Sequence, residues 1–224
     1  MRRTKSNPAW TKEDVSDLMT YLMLGVVLGG RIGYVLFYGM GYWARDWLYP
    51  LKIWEGGMSF HGGLLGVIFL LWLFGRKKGK AFWAVADYVA PMIPPGLFFG
   101  RIGNFINGEL WGRPTDLPWG MVFPGTGDGI PRHPSQLYEA GLEGIVLFIA
   151  VWFYSAKPRR SGQVAGLFLV LYGIFRSLVE MVRQPDGQVN FLIGEITMGQ
   201  ALSLPMIVFG LWLMLRRGLR ASVS

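Results

Sequence analysis

Cysteine is absent from the 224 residues, which excludes a disulfide framework, a thiolate metal site and any cysteine nucleophile supplied by the protein itself. Charge is scarce as well: 16% of residues are Asp, Glu, Lys or Arg, where a soluble domain carries roughly a quarter. Histidine occurs only at His61 and His133, and with the scattered carboxylates it forms no His-Glu-x-x-His spacing, so neither a metal nor another cofactor is expected. There is no Gly-x-Ser-x-Gly elbow and no Walker loop. What the chain does have is apolar bulk: 52% hydrophobic residues, with 10 Trp, 15 Phe, 9 Tyr and 32 Gly. Aromatics gather at membrane interfaces and glycine at helix contacts inside membranes. The net charge of +8 could point to nucleic acid, but the basic residues lie between apolar runs, where they act as topology signals, and no nucleic-acid partner is expected.

Met1-Arg2-Arg3-Thr4-Lys5 has the look of a signal-peptide start, yet a polar stretch through Asp17 precedes any apolar run, so a cleaved signal is not expected. Thr11, followed by Glu13 and Asp14, reads as the capped start of a helix. A membrane span needs roughly 20 apolar residues. Candidates fall at 15–38, 59–74, 82–100, 137–154, 163–181 and 197–215, the second short, Gly-rich (Gly62, Gly63, Gly66) and a candidate for tilt or re-entry. The expected fold is therefore an all-α integral membrane protein of about six transmembrane helices. It forms one polytopic domain over 1–224, with a small polar outer-face head at 101–135 between the third and fourth spans. That stretch holds Pro114, Pro118, Pro124, Pro131 and Pro134 and is far longer than a helix connector requires.

Fourteen of the 22 Lys and Arg sit on alternate connections: Arg2, Arg3, Lys5 and Lys12; Arg76, Lys77, Lys78 and Lys80; Lys157, Arg159 and Arg160; Arg216, Arg217 and Arg220. By the positive-inside rule that side is cytoplasmic, both termini lie inside, and the span number is even. Arg45 and Lys52 lie among Trp43, Trp47, Tyr49 and Trp54, an interfacial aromatic belt. Arg45, Lys52, Arg113 and Arg132 read equally as attraction for a head group or as solvated surface.

Arg31, Arg101 and Arg176 lie in or at the end of spans, where an arginine costs about 2.5–3.5 kcal/mol at the centre and less near the edge. All three helices run outward, which places the guanidinium groups in a similar band toward the outer leaflet. Gly30-Arg31-Ile32-Gly33 is echoed by Gly100-Arg101-Ile102-Gly103. Tyr172, Arg176 and Glu180 share a helix face, as do Arg31, Tyr34 and Tyr38, and His61 reaches the same band. Guanidinium groups bind phosphate through paired hydrogen bonds, so such a cluster suits a phospholipid head group. The plainer readings are snorkelling for Arg31, an ion pair with Glu180 for Arg176, and helix capping or anchoring of the head for Arg101. His61 can serve as a general base or as a hydrogen-bonded core histidine. His133 reads as structural at the start of the fourth span, with Ser135 as N-cap. Gly25, Gly29 and Gly33 read as close helix packing.

The segment Gly100-Arg101-Ile102-Gly103-Asn104-Phe105-Ile106-Asn107-Gly108-Glu109-Leu110-Trp111-Gly112 resembles the signature of the bacterial prolipoprotein diacylglyceryl transferase family. Further matches are Gly29-Gly30-Arg31-Ile32-Gly33-Tyr34, Gly56-Gly57-Met58-Ser59-Phe60-His61-Gly62-Gly63 and Arg132-His133-Pro134-Ser135-Gln136-Leu137-Tyr138-Glu139. Tyr172-Gly173-Ile174-Phe175-Arg176, Arg183-Gln184-Pro185-Asp186 and Met198-Gly199-Gln200 continue the pattern. The resemblance implies transfer of diacylglyceryl from phosphatidylglycerol to the lipobox cysteine thiol of a preprolipoprotein, with glycerol phosphate as by-product. It implies a place in the bacterial cytoplasmic (inner) membrane, among membrane lipid, with acceptors entering after export. It makes His61, Arg101 and Arg176 the catalytic candidates, and Arg31, Tyr34, Arg101, Asn104, Glu109, Gly112, Tyr172, Arg176, Glu180 and Arg183 the substrate-binding ones. It also implies a further amino-terminal span with a His-Trp-Tyr-Gly stretch, which nothing here matches. Either the frame begins upstream of Met1 or this form lacks one wall of the site. The competing class is an anion or lipid transporter without covalent chemistry, marked by broken helices in an internal inverted repeat; the Gly-Arg-Ile-Gly echo lies in two helices of the same direction.

Overall fold

A computed structural model describes residues 10–184 and 197–216. Arg2, Arg3, Lys5, Pro185, Asp186, Arg217 and Arg220, named above, lie outside the described residues. The helices are α1 (Lys12–Phe37), α2 (Met40–Trp43), α3 (Phe60–Lys77), α4 (Phe82–Val89), α5 (Ile93–Ile106), α6 (Ser135–Tyr154), α7 (Gln163–Glu180) and α8 (Met198–Leu215). Among the described residues β structure is limited to isolated bridges, and the fold is all-α. The helices α1, α3, α6, α7 and α8 are each long and apolar enough to cross a membrane. The third expected span is helical but split. Pro91 lies in a 3-10 turn (Ala90–Met92), and Pro94 and Pro95 open α5. A proline ring withholds an amide donor and is tolerated in a first helical turn, so the chain restarts there instead of continuing. The chain divides into two compact units, Met1–Val85 and Ala86–Ser224.

In the first unit, α1 begins at the expected cap. The Asp14 amide donates to the Thr11 hydroxyl (3.0 Å) and the Thr11 amide to the Asp14 carboxylate (3.2 Å), a reciprocal capping box. The glycines of α1 are its contact surface with α3: a Cβ on Gly29 would collide with the Gly62 carbonyl, and one on Gly33 would sit 2.7 Å from the Gly62 Cα. Close backbone approach of this kind drives association where lipid removes any hydrophobic gain. The Gly-rich α3 is an unbroken 18-residue helix, and its glycines serve this packing. Where α1 starts and α3 ends, Lys78 reaches Asp17 (2.7 Å), Lys80 reaches Asp14 (3.3 Å), and Trp10 stacks on the buried Phe74. Met23, Leu28 and Ile32 on α1 and Leu65 and Phe69 on α3 are exposed, as lipid-facing side chains are.

In the second unit, α7 and α8 pack through Gly166 and Gly210. A core of Ala90, Leu147, Val151 and Val164 is surrounded by Phe168, Leu171, Tyr172 and Phe175. The start of α7 has no capping side chain of its own; instead the Asp87 carboxylate accepts from the Gly162 (2.6 Å) and Ala165 (2.8 Å) amides. Residues Ala140–Val146 of α6 are wound as a π-helix, and Gly144 there lies against Phe98 of α5. Ser135 is not an N-cap: it is the first helical residue, after Pro134, and its hydroxyl donates to the Leu110 carbonyl (3.0 Å). The long stretch between α5 and α6 is ordered by backbone pairing, with Met121 and Arg132 exchanging two 2.9 Å hydrogen bonds. Its turn is tied by Asp128, which accepts from the Ile130 amide (3.0 Å) and Arg132 (2.6 Å). The Ile130 amide first, and then Arg132, holds the Asp128 carboxyl at about 2.

Candidate functional site

Arg101, near the end of α5, and Arg176, near the end of α7, converge on one carboxylate of α6. Glu139 is wholly buried. Arg176 Nη1 donates to its Oε1 at 2.5 Å, and Arg101 Nε lies 2.8 Å from its Oε2. Arg183 Nε approaches Oε1 at 4.0 Å, and Arg176 Nη2 pairs with Glu180 at 2.8 Å. One turn along α6 from Glu139, the equally buried Glu143 stands 3.9 Å from Arg101 Nη2. Three guanidinium groups thus face three carboxylates. The pairing of Arg176 with Glu180, anticipated from their spacing, is half of a wider network.

The rest of the signature is built onto Arg101. Its Nη1 lies 3.5 Å from Asn104 Oδ1, and the Asn104 amide group donates to Glu109 (2.8 Å). The Glu109 carbonyl accepts from Gln136 of α6 (2.6 Å), which ties the signature loop to the helix that carries Glu139. Gly112 sits where no side chain fits: a Cβ would lie 2.6 Å from His133 Cβ and 2.7 Å from the Val182 carbonyl. It bridges to Arg183, whose carbonyl accepts from Arg113 Nε (3.1 Å). Tyr172, one turn before Arg176, is partly buried and stacks on Phe168. Tyr138, Leu142 and Val179, chain neighbours of the three glutamates, line an apolar cavity of about 410 Å³ together with Trp119 and His133.

In the first unit, Arg31 is 3% exposed and is enclosed by the loop that follows α2. Its Nε donates to the Pro50 carbonyl (3.1 Å), Nη2 to the Tyr49 carbonyl (2.5 Å), and Nη1 to the carbonyls of Gly56 and Gly57. The guanidinium also lies 4.7 Å from the centre of the Tyr49 ring. Tyr49 is buried, whereas Trp47 and Trp54, from the same aromatic belt, are exposed. Tyr34 packs its ring against Gly57. His61 is exposed in the first turn of α3, which is capped by Ser59, and meets Phe60 edge to face.

Of the three arginines singled out from the sequence, Arg101 and Arg176 share one partner, while Arg31 lies in the other unit with its donors directed at loop carbonyls. Sequence reasoning missed Glu139 and Glu143 as partners. Their signal was available: two carboxylates one turn apart at the head of an apolar run, where a charge is costly.

The family model for prolipoprotein diacylglyceryl transferase matches residues 1–216. Relatives named phosphatidylglycerol--prolipoprotein diacylglyceryl transferase include one from Solidesulfovibrio magneticus, 60% identical over 218 residues, which cover 96% of this chain and 82% of the relative. One from Nitratidesulfovibrio vulgaris (strain DP4) is 60% identical over 95% of this chain and 82% of its own length, and one from Bordetella avium is 59% identical over 95% and 80%. The matched stretch carries every helix and every arginine and glutamate of the buried network, and the chain belongs to the prolipoprotein diacylglyceryl transferase family.

Proposed function

We propose that this chain transfers the diacylglyceryl group of phosphatidylglycerol to the cysteine thiol in the lipobox of a preprolipoprotein signal peptide, the first step of lipoprotein maturation. Membership of the family along residues 1–216 carries the reading, and the convergence of Arg101 and Arg176 supports it chemically. The thiol sulfur attacks the carbon of the diacylglyceryl group that bears the phosphate. A C–S bond forms, the C–O bond to phosphate breaks, and glycerol phosphate departs with the electron pair. Charge gathers on the departing phosphate, so guanidinium groups already in place lower the barrier. We assign that grip to Arg101 and Arg176, and to His61 the removal of the thiol proton, which ends on the departing phosphate or on water. The nucleophile belongs to the substrate, which fits an enzyme without cysteine.

In this reading Asn104, Glu109 and Gly112 hold the signature loop beside Arg101, Tyr172, Glu180 and Arg183 border Arg176, and Arg31 with Tyr34 fixes the loop before His61. The apolar cavity offers surface for an acyl chain. The alternation of basic connections favours the cytoplasmic membrane, with both ends of this chain inside, the 101–135 head outside and the site toward the outer leaflet. Incubation of the purified protein with labelled phosphatidylglycerol and a lipobox peptide tests the reading. It requires label on the peptide cysteine. Lipid bound without product would favour a transporter, and neither binding nor product would refute both.

A further inference from the structure

Glu139 has no part in the proposed chemistry, yet among the described residues it is the one side chain paired with both arginines. Its two oxygens are divided between them, Oε1 to Arg176 Nη1 (2.5 Å) and Oε2 to Arg101 Nε (2.8 Å). It reaches Arg101 on the Nε edge. Among the described residues the Nη edge meets only distant partners, Asn104 at 3.5 Å and Glu143 at 3.9 Å, and the Arg101 side chain keeps 20% of its surface exposed. That edge is the one with two donors available to grip a phosphate. Glu139 itself is sealed from solvent, and Gln136, three residues earlier on α6, is bonded to the Glu109 carbonyl of the signature loop. The carboxylate therefore stands on a rigid support.

We propose that Glu139 is a positioning residue: it orients Arg101 and Arg176 as one unit and leaves the Nη edge of Arg101 for the substrate phosphate. This rests on the transferase reading above. A displacement of about 1 Å at such a site costs about 100-fold in rate, and Glu139→Gln, which replaces one acceptor oxygen with a donor facing an arginine, is expected to lower kcat/KM by about that factor. Glu139→Asp keeps both oxygens and should recover part of the loss.

The decisive measurement is a double-mutant cycle with Arg101→Lys. Lysine has no Nε–H to orient, so in that background Glu139→Gln should cost less than about tenfold. A loss that arises only from poorer folding multiplies equally in both backgrounds. Equal losses, or a Glu139→Gln variant at full rate, overturn the proposal, and thermal unfolding of each variant in detergent shows whether the folded fraction is matched. If the unaltered protein forms no product, the transferase reading fails on its own. The same cycle is then read as retention of phosphatidylglycerol by native mass spectrometry, where equal losses again overturn the role of Glu139.

Discussion

Replacing Arg176 by lysine keeps the positive charge and removes the planar fork. In the protein that fork spans two carboxylates, Nη1 to Glu139 at 2.5 Å and Nη2 to Glu180 at 2.8 Å. One ammonium cannot occupy both positions, so at least one charge-assisted contact is lost, together with one of two parallel donors to a phosphate. A hydrogen bond to a charged group is worth about 1.5–3 kcal/mol. The loss in the transition state is then about 2–3 kcal/mol, or roughly 30- to 150-fold in kcat/KM. The assay is transfer of labelled diacylglyceryl to a lipobox peptide over a range of phosphatidylglycerol content, with unfolding temperature measured alongside. A lysine variant within threefold of the unaltered rate would mean that charge alone suffices, and bidentate recognition of the phosphate would have to be abandoned. Arg176→Ala should be worse than lysine, because it removes the cation that the buried Glu139 and Glu180 share.

Gly29→Leu drives a side chain into the Gly62 carbonyl and is expected to destabilise the α1–α3 pair by about 3 kcal/mol, seen as a lower unfolding temperature, while Gly41→Ala, in open space, should change nothing. Asp87→Ala removes the acceptor of the Gly162 and Ala165 amides and should cost about 2 kcal/mol, read as faster hydrogen exchange at the start of α7. Asp128 has its carboxyl lowered from 3.8 to about 2, so its contribution is complete above the unfolded value and fades as pH falls through about 2. The protection of the Ile130 amide relative to its intrinsic exchange rate should therefore fall over that window, and Asp128→Asn should abolish this change.

Much of the fold is legible in the sequence because its causes are local. Thr11 and Asp14 form their cap within one turn, and Gly25, Gly29 and Gly33 return at the four-residue spacing that builds one helix face. The break in the third apolar stretch is local too, since Pro91, Pro94 and Pro95 stand in the sequence; hydropathy averaged over a window runs across them. The backbone pairing of Met121 with Arg132 and of Gly112 with Arg183 is not local. Nothing near Gly112 names a partner some seventy residues further on, although a glycine there does mark a place too tight for a side chain.

Buried charge separates the arginines in a way that their common cost in a membrane does not. Arg31 directs three nitrogens at backbone carbonyls of a single loop, and its guanidinium is closed to other ligands. Such an arginine is explained by the loop it holds. Arg101 and Arg176 are held by carboxylates instead, and buried ion pairs gain little stability over an apolar filling of the same shape. Side-chain exposures of 20% and 14% leave each of the two reachable. An ion network that adds little to stability and stays accessible has its rationale in what it binds, and in the proposed reaction a phosphate oxygen would meet there the two cations that share Glu139.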